Sequence, residues 1–208
     1  MRVRFAIWPR VRLRTKFEVE QDRLADQHEA LLRTDVTFMP SFLEEQLKQV
    51  SWPRETSVLV EILLTGRTVL LDVDLPEIEH LPLKAAVTSK NSRRLLIKEI
   101  SAIGIREQYA RHIHGVGFRL AGMVFSLLPV TERCVISGYS QRVGKQTGLI
   151  STEYLYSVII SREEFSRMNF ENLSSVDPVE ALGIFEIRRS MTKTGILKPI
   201  QPFRFVED

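Results

Sequence analysis

The chain has 208 residues, 44% of them hydrophobic and 26% charged, which is enough for one substantial core and too apolar for a disordered chain. No apolar run approaches the ~18 residues that span a bilayer, so no membrane partner is expected. The single cysteine, Cys134, excludes an intramolecular disulfide and suits a reducing cytosol.

The net charge of +3 conceals three blocks. Residues 1–16 carry six bases and no acid, residues 17–80 five bases against 14 acids, and residues 81–208 18 bases against 12 acids. An acidic block between two basic ones fits contact with nucleic acid, or blocks that face one another within a fold or an assembly.

The opening Met1-Arg2-Val3-Arg4 is basic, but the apolar Phe5-Ala6-Ile7-Trp8 stops at Pro9 and is too short for a secretory signal. A cytoplasmic location is therefore expected. Residues 10–20 alternate strictly. Val11, Leu13, Phe17 and Val19 point one way, and Arg10, Arg12, Arg14, Lys16, Glu18 and Glu20 the other, which predicts a strand in a ribbon with one cationic face. Residues 21–34 have helical periodicity. Ser41 followed by Glu44 has the form of a capping box and predicts a second helix from Ser41 to about Trp52-Pro53.

Two strands are predicted at 57–64 and 68–75, joined through Thr65-Gly66-Arg67, and two more at 83–89 and 94–100. A helix is predicted from about 102 to 127. Tyr109, Ile113, Val116, Leu120, Met123 and Leu127 mark one side of it, and Phe118, Ala121, Phe125 and Leu128 a second, so it should be central and largely covered. Gly115, Gly117 and Gly122 weaken such a helix and suggest close packing. A second hairpin is predicted from 132–141 and 150–161. A short helix should follow from Ser161 to Asn169, then a helix start at Asp177-Pro178-Val179-Glu180 and a closing loop or edge strand from Arg188 onward.

The blocks Leu71-Asp72-Val73-Asp74-Leu75-Pro76-Glu77, Ser137-Gly138-Tyr139-Ser140-Gln141-Arg142, Tyr154-Leu155-Tyr156-Ser157-Val158 and Met191-Thr192-Lys193-Thr194-Gly195 resemble an uncharacterised family of bacterial proteins, over about residues 50–203. The resemblance implies a bacterial cytosolic origin and supplies no activity.

Several residues could carry chemistry. Pairing Thr65 with Thr68, or Leu64 with Val69, sets Glu61 opposite Asp72, with Asp74 on the same face. Like charges facing one another across ~5 Å need a neutraliser. One is Mg²⁺ in a phosphodiesterase, with Glu61, Asp72 and Asp74 as ligands and Lys84 or Lys98, on strands expected to adjoin, as the catalytic lysine. The other is solvent or the Arg10-Arg12-Arg14 ribbon. The acidic-x-Lys step of restriction-type nucleases is missing, because Glu79 and Lys84 are wrongly spaced.

A basic set consists of Arg142, Lys145, Arg188, Arg189, Lys193 and Lys198, with Tyr139, Tyr154 and Tyr156 nearby. Together with the Arg10-Arg12-Arg14 ribbon it suits phosphate contacts and base stacking, while the same tyrosines also suit a core face. His112 and His114 are two apart, whereas helical metal pairs need three or four. Cys134 reads as a buried structural thiol, and Ser140 and Ser157 lack a neighbouring base. Lys193-Thr194-Gly195 has no Ser-x-x-Lys partner, and no phosphate loop or dinucleotide fingerprint is present.

The sequence therefore predicts an α+β fold, with mainly antiparallel sheet packed on a long central helix. An N-terminal arm (1–52, a basic ribbon and helices) should precede an α+β domain (53–208). The first functional expectation is a non-enzymatic cytosolic module, without cofactor, that binds nucleic acid or a protein partner through basic surfaces. The second is a Mg²⁺-dependent phosphodiesterase or nuclease, and the third is a structural subunit of a larger assembly.

Overall fold

The computed structural model describes residues 35–205 apart from 55, 64, 89–93 and 144–147, together with scattered positions between 19 and 32. It is an α+β fold whose mostly antiparallel mixed sheet packs on one long helix. Its elements are α1 (Phe38–Lys48), β1 (Ser57–Ile62), β2 (Thr68–Asp74), β3 (Lys84–Thr88), β4 (Leu95–Glu99), α2 (Ala102–Leu127), β5 (Arg133–Val143), β6 (Ile150–Ser161), α3 (Arg162–Phe165), α4 (Pro178–Leu182), β7 (Glu186–Met191) and β8 (Leu197–Lys198).

Six strands form one sheet in the order β1-β2-β5-β6-β7-β8, and β3-β4 form a separate two-stranded sheet. All pairings are antiparallel except β2 with β5. A parallel pair cannot be joined by a tight turn. The connection from β2 to β5 accordingly carries a 3₁₀ turn at Ile78–His80, the β3-β4 hairpin and α2.

Period two separates the two faces of the main sheet. Val69, Leu71 and Val73 of β2, Cys134 and Ile136 of β5, and Val158 and Ile160 of β6 are fully buried and share one core with Ile113, Leu120 and Val124 of α2. Tyr109 and Val116 are buried on the expected side of that helix, and Phe125 on the second. Met39, Leu43 and Leu47 bring α1 into the same cluster.

Tyr156 fills the gap between sheet and helix and donates its hydroxyl to the Ile113 carbonyl at 3.1 Å. Two glycines make room for it. A Cβ on Gly117 would stand 2.7 Å from the Tyr156 hydroxyl, and one on Gly138 2.7 Å from the ring. Of the three helical glycines read as packing devices, Gly117 alone shows such an approach. At Gly115 and Gly122 a Cβ would make ordinary contacts of 3.7 Å or more.

The ends of α2 are satisfied by side chains. Ser101 caps the first turn by accepting from the Gly104 amide. Past the last turn, Arg162 donates to the carbonyls of Phe125, Leu128 and Thr131 at 2.6–2.8 Å and lies over the Phe125 ring. A guanidinium there meets carbonyls that have no partner within the helix, at the negative end of its dipole. Asp177 caps α4 through the Val179 amide, with Pro178 at the first helical position.

Four sequence expectations are corrected. Val19 is helical, not the end of a strand; the other residues of the basic ribbon, Arg10, Arg12 and Arg14 among them, lie outside the described residues. Helix α1 starts at Phe38, not Ser41, because the Asp35 carboxylate accepts from the amides of Thr37 and Phe38, and it ends at Lys48, short of Trp52. The predicted helix to Asn169 stops at Phe165. Arg188 and Arg189 belong to β7, an inner strand that pairs with β6 through them and with β8 through Ser190 and Met191; the remainder of the expected closing segment is a turn and the edge strand β8.

Candidate functional site

The face of the main sheet turned away from α2 carries most of the predicted site residues. In chain register it presents Leu59 and Glu61 from β1, Leu70, Asp72 and Asp74 from β2, Val135, Ser137 and Tyr139 from β5, and Tyr154 and Ser157 from β6. The C-terminal segment 200–205 crosses it. The Ile200 amide donates to the Tyr154 carbonyl, the Phe203 amide to Ser157 Oγ, and Arg188 to the Pro202 carbonyl while stacking on the Phe203 ring at 4.0 Å. Between this strap and β1 lies a shallow groove floored by Asp72, Ser137 and Tyr154 and flanked by Glu61 and Arg204.

The expected register of the first hairpin is off by two residues. Leu63 closes on Thr68, leaving a four-residue loop in which Gly66 has φ 69° and its amide donates to the Leu63 carbonyl. Glu61 therefore faces Leu70, and Asp72 faces Leu59. A slip of two residues keeps every side chain on its face. Glu61 and Asp72 still share the surface, but as diagonal neighbours roughly 7 Å apart rather than a direct pair.

Asp72 is half-buried and accepts a hydrogen bond from the Tyr154 hydroxyl at 3.1 Å. Burial raises its pKa, and the tyrosine bond pulls it back. Tyr154 is raised in turn by burial and by the Asp72 charge, and Tyr139 by burial and the charges of Asp74 and Asp72. Among the described residues no three His, Cys, Asp or Glu side chains are grouped to hold a metal ion. Glu61, Asp72 and Asp74 thus share a face without forming a cluster. The strands of Lys84 and Lys98 do not adjoin β1 and β2, because β3 and β4 belong to the separate sheet. Ser137 and Ser157, both buried, hydrogen bond to each other at 2.8 Å, and Asp72 lies in register beside Ser137.

Among the described basic residues, Arg188 and Arg189 lie on opposite faces of the sheet. Arg142 pairs with Glu153 at 3.3 Å. Arg188 lies on the strap face, whereas Arg189 points to the helix side and donates to His114 Nε2 at 3.0 Å and to the Val179 carbonyl. Lys193 and Lys198 are exposed near the β7-β8 turn, and Lys145 lies outside the described residues. His114 is fully buried, with Nδ1–H on the Ala110 carbonyl at 2.7 Å. Accepting from an arginine leaves its Nε2 no proton to carry, and burial pushes its pKa down to about 4. Burial also lowers His112 and raises the Cys134 thiol, as expected for residues with packing roles.

Sequence reasoning missed one feature. Ribbon β3-β4 pairs Ala86 with Ile97, Thr88 with Leu95 and Lys84 with Glu99, so these six share a face, and all six are exposed. Leu95 is 73% and Ile97 76% exposed. The opposite face is partly covered at Ala85 and Val87. The available signal was the run Leu95-Leu96-Ile97: a ribbon only two strands wide cannot bury consecutive apolar residues on both of its faces.

No protein-family model, curated protein or solved structure matches the chain. Among the described residues no helix is long and apolar enough to cross a membrane. The class this fold and surface define is an α+β protein with a mixed six-stranded sheet, one covering helix and a detached apolar ribbon.

Proposed function

We propose that the protein is a non-enzymatic module that binds a protein partner through the β3-β4 ribbon. The observation that carries this reading is the outward face of the ribbon, where Leu95 and Ile97 stand largely in water. Covering each such side chain is worth about 1.5–3 kcal/mol. A two-stranded hairpin has little stability of its own without a covered face. Apolar side chains concentrated on a projecting element and rimmed by charge are the usual composition of a docking surface.

The catalytic reading draws less support from the outer face, where the hydroxyl of Tyr154 already engages Asp72 and the two serines engage each other. The test is a photo-crosslinking residue placed at Ile97 in cells, with Glu186, exposed on β7, as the control position. The expected result is a discrete protein adduct at position 97 that Leu95→Glu abolishes and position 186 does not form. A nucleic-acid adduct, or none, at position 97 would overturn the reading.

A further inference from the structure

Across the groove on the outer sheet face, opposite charges stand on opposite walls. Glu61 lines it from β1, and Arg204 lines it from the C-terminal strap. Both side chains are exposed, and neither makes an ion pair among the described residues. The strap is pinned one residue earlier, where the Phe203 amide donates to Ser157 Oγ and the Phe203 ring lies under Arg188 at 4.0 Å. Neighbouring contacts, and not a carboxylate, therefore set the place of Arg204. The floor between the walls is polar. Register puts Asp72 of β2 beside Ser137 of β5, and the Tyr154 hydroxyl gives Asp72 a single hydrogen bond. A carboxylate accepts more than one. The two serines in turn hold a proton to spare. Ser157 Oγ accepts from the Phe203 amide and shares one bond with Ser137 Oγ. That bond uses one of the two hydroxyl protons, and the other has no acceptor among the described residues. Ser137 is 4% exposed and lines the groove, so a proton received from Ser157 leaves its own for a group lying there.

We infer that this groove binds a small zwitterion with an apolar side chain, the chemistry of a free α-amino acid. The ammonium sits between Glu61 and Asp72, and the carboxylate between Ser137 Oγ and Arg204. Strand order sets that direction: β1, β2 and β5 bring Glu61, Asp72 and Ser137 in turn toward the strap. Adjacent strands lie ~4.8 Å apart, so Asp72 and Ser137 can hold the two ends of one amino acid. A lone cation leaves Arg204 unanswered, and a lone anion meets two carboxylates. A ligand with both charges answers both walls, and charge-assisted hydrogen bonds are the strong ones. Leu59 and Leu70 on one wall and Phe203 on the other receive the apolar side chain. The groove volume of about 390 Å³ lies within the range of small-molecule sites. This site is separate from the ribbon, which belongs to the other sheet.

The test is a titration of the full chain with L-leucine, followed by ligand-detected NMR, beside two capped forms. Leucinamide keeps the ammonium alone, and N-acetylleucine keeps the carboxylate alone. Leucine should bind with a submillimolar dissociation constant, and each capped form about tenfold or more weakly, the worth of one charge-assisted contact. Arg204→Gln should weaken leucine by the same factor and leave leucinamide unchanged. Asp72→Asn should weaken leucine likewise and leave N-acetylleucine unchanged. Glu61→Gln, at an exposed position, should do the same with an unchanged melting temperature, which keeps the test open if Asp72→Asn misfolds. No binding of leucine at millimolar concentration overturns the inference. Leucinamide binding as tightly as leucine makes this a site for a cation alone, and N-acetylleucine doing so makes it a site for an anion alone; either result overturns the zwitterion. Leucine binding that ignores all three variants overturns the placement in the groove.

Discussion

Strands β2 and β4 are built from nearly the same residues and meet opposite fates. Val69-Leu70-Leu71 and Leu95-Leu96-Ile97 are both runs of branched apolar side chains in short extended segments. In β2, Val69 and Leu71 are 0% and 1% exposed; in β4, Leu95 and Ile97 are 73% and 76% exposed. The difference lies in their neighbours. β2 has β1 on one side, β5 on the other and the core with α2 beneath it, whereas among the described residues β4 pairs with β3 alone. Strand formation is thus a local property, and burial is conferred by whatever is packed above. The apolar residues of β4 that stand without cover among the described residues are the observation on which the proposed docking role rests.

The sharpest way to break that comparison is to charge both regions alike. Leu120→Asp places a carboxylate in the fully buried centre of α2, at a cost of several kcal/mol, on the order of the whole stability. Soluble expression should be lost, and a soluble variant with an unchanged melting temperature would show that the helix does not organise the core.

Acid should separate the covered region from the ribbon next. His114 is held neutral, with a pKa of about 4 in the folded state against about 6.5 when unfolded. The unfolded chain therefore binds the extra proton first, and stability rises with pH across this window. It is fully present above about 6.5 and is lost, by about 3 kcal/mol, as pH falls toward about 4. Denaturant titrations at several pH values should show that slope, and His114→Gln should flatten it; an equal slope in both proteins would show that His114 is not its source.

Arg162→Ala removes three donors from carbonyls near the end of α2 and should cost about 2–3 kcal/mol without changing the fold. Equilibrium urea unfolding measures it, and a loss under ~0.5 kcal/mol would mean that water serves those carbonyls equally well.

The smallest effect is expected in the ribbon. Ile97→Asp should change the stability of the chain by no more than about 0.5 kcal/mol, because the side chain it replaces is already in water. A large loss in the isolated chain would make the ribbon part of the fold and remove the contrast with β2.

Much of this architecture is legible without coordinates. Hairpin signals mark β1, β2, β5 and β6, and two apolar sides mark α2 over the residues it occupies. Asp177-Pro178 marks the start of α4. These signals are local, since a side chain in a strand or helix repeats its environment every two or 3.6 residues whatever lies across from it. The outer-face grouping of Glu61, Asp72 and Asp74 was legible for the same reason, because a register error of two residues preserves the face.

Tertiary structure alone decided the rest. Which strand lies beside β2, the parallel union with β5, and the detachment of β3-β4 depend on where a long connection returns, and period two carries no record of that. Adjacent arginines at 188 and 189 look alike in sequence. Once β7 is threaded between β6 and β8, one must face the strap and the other the buried His114. The helix of Phe38–Lys48 begins three residues before its apparent capping box because the Asp35 side chain reached the free amides first. In each case the sequence determines what a segment prefers to be, and the three-dimensional packing determines what it meets, since contact is a property of pairs far apart along the chain.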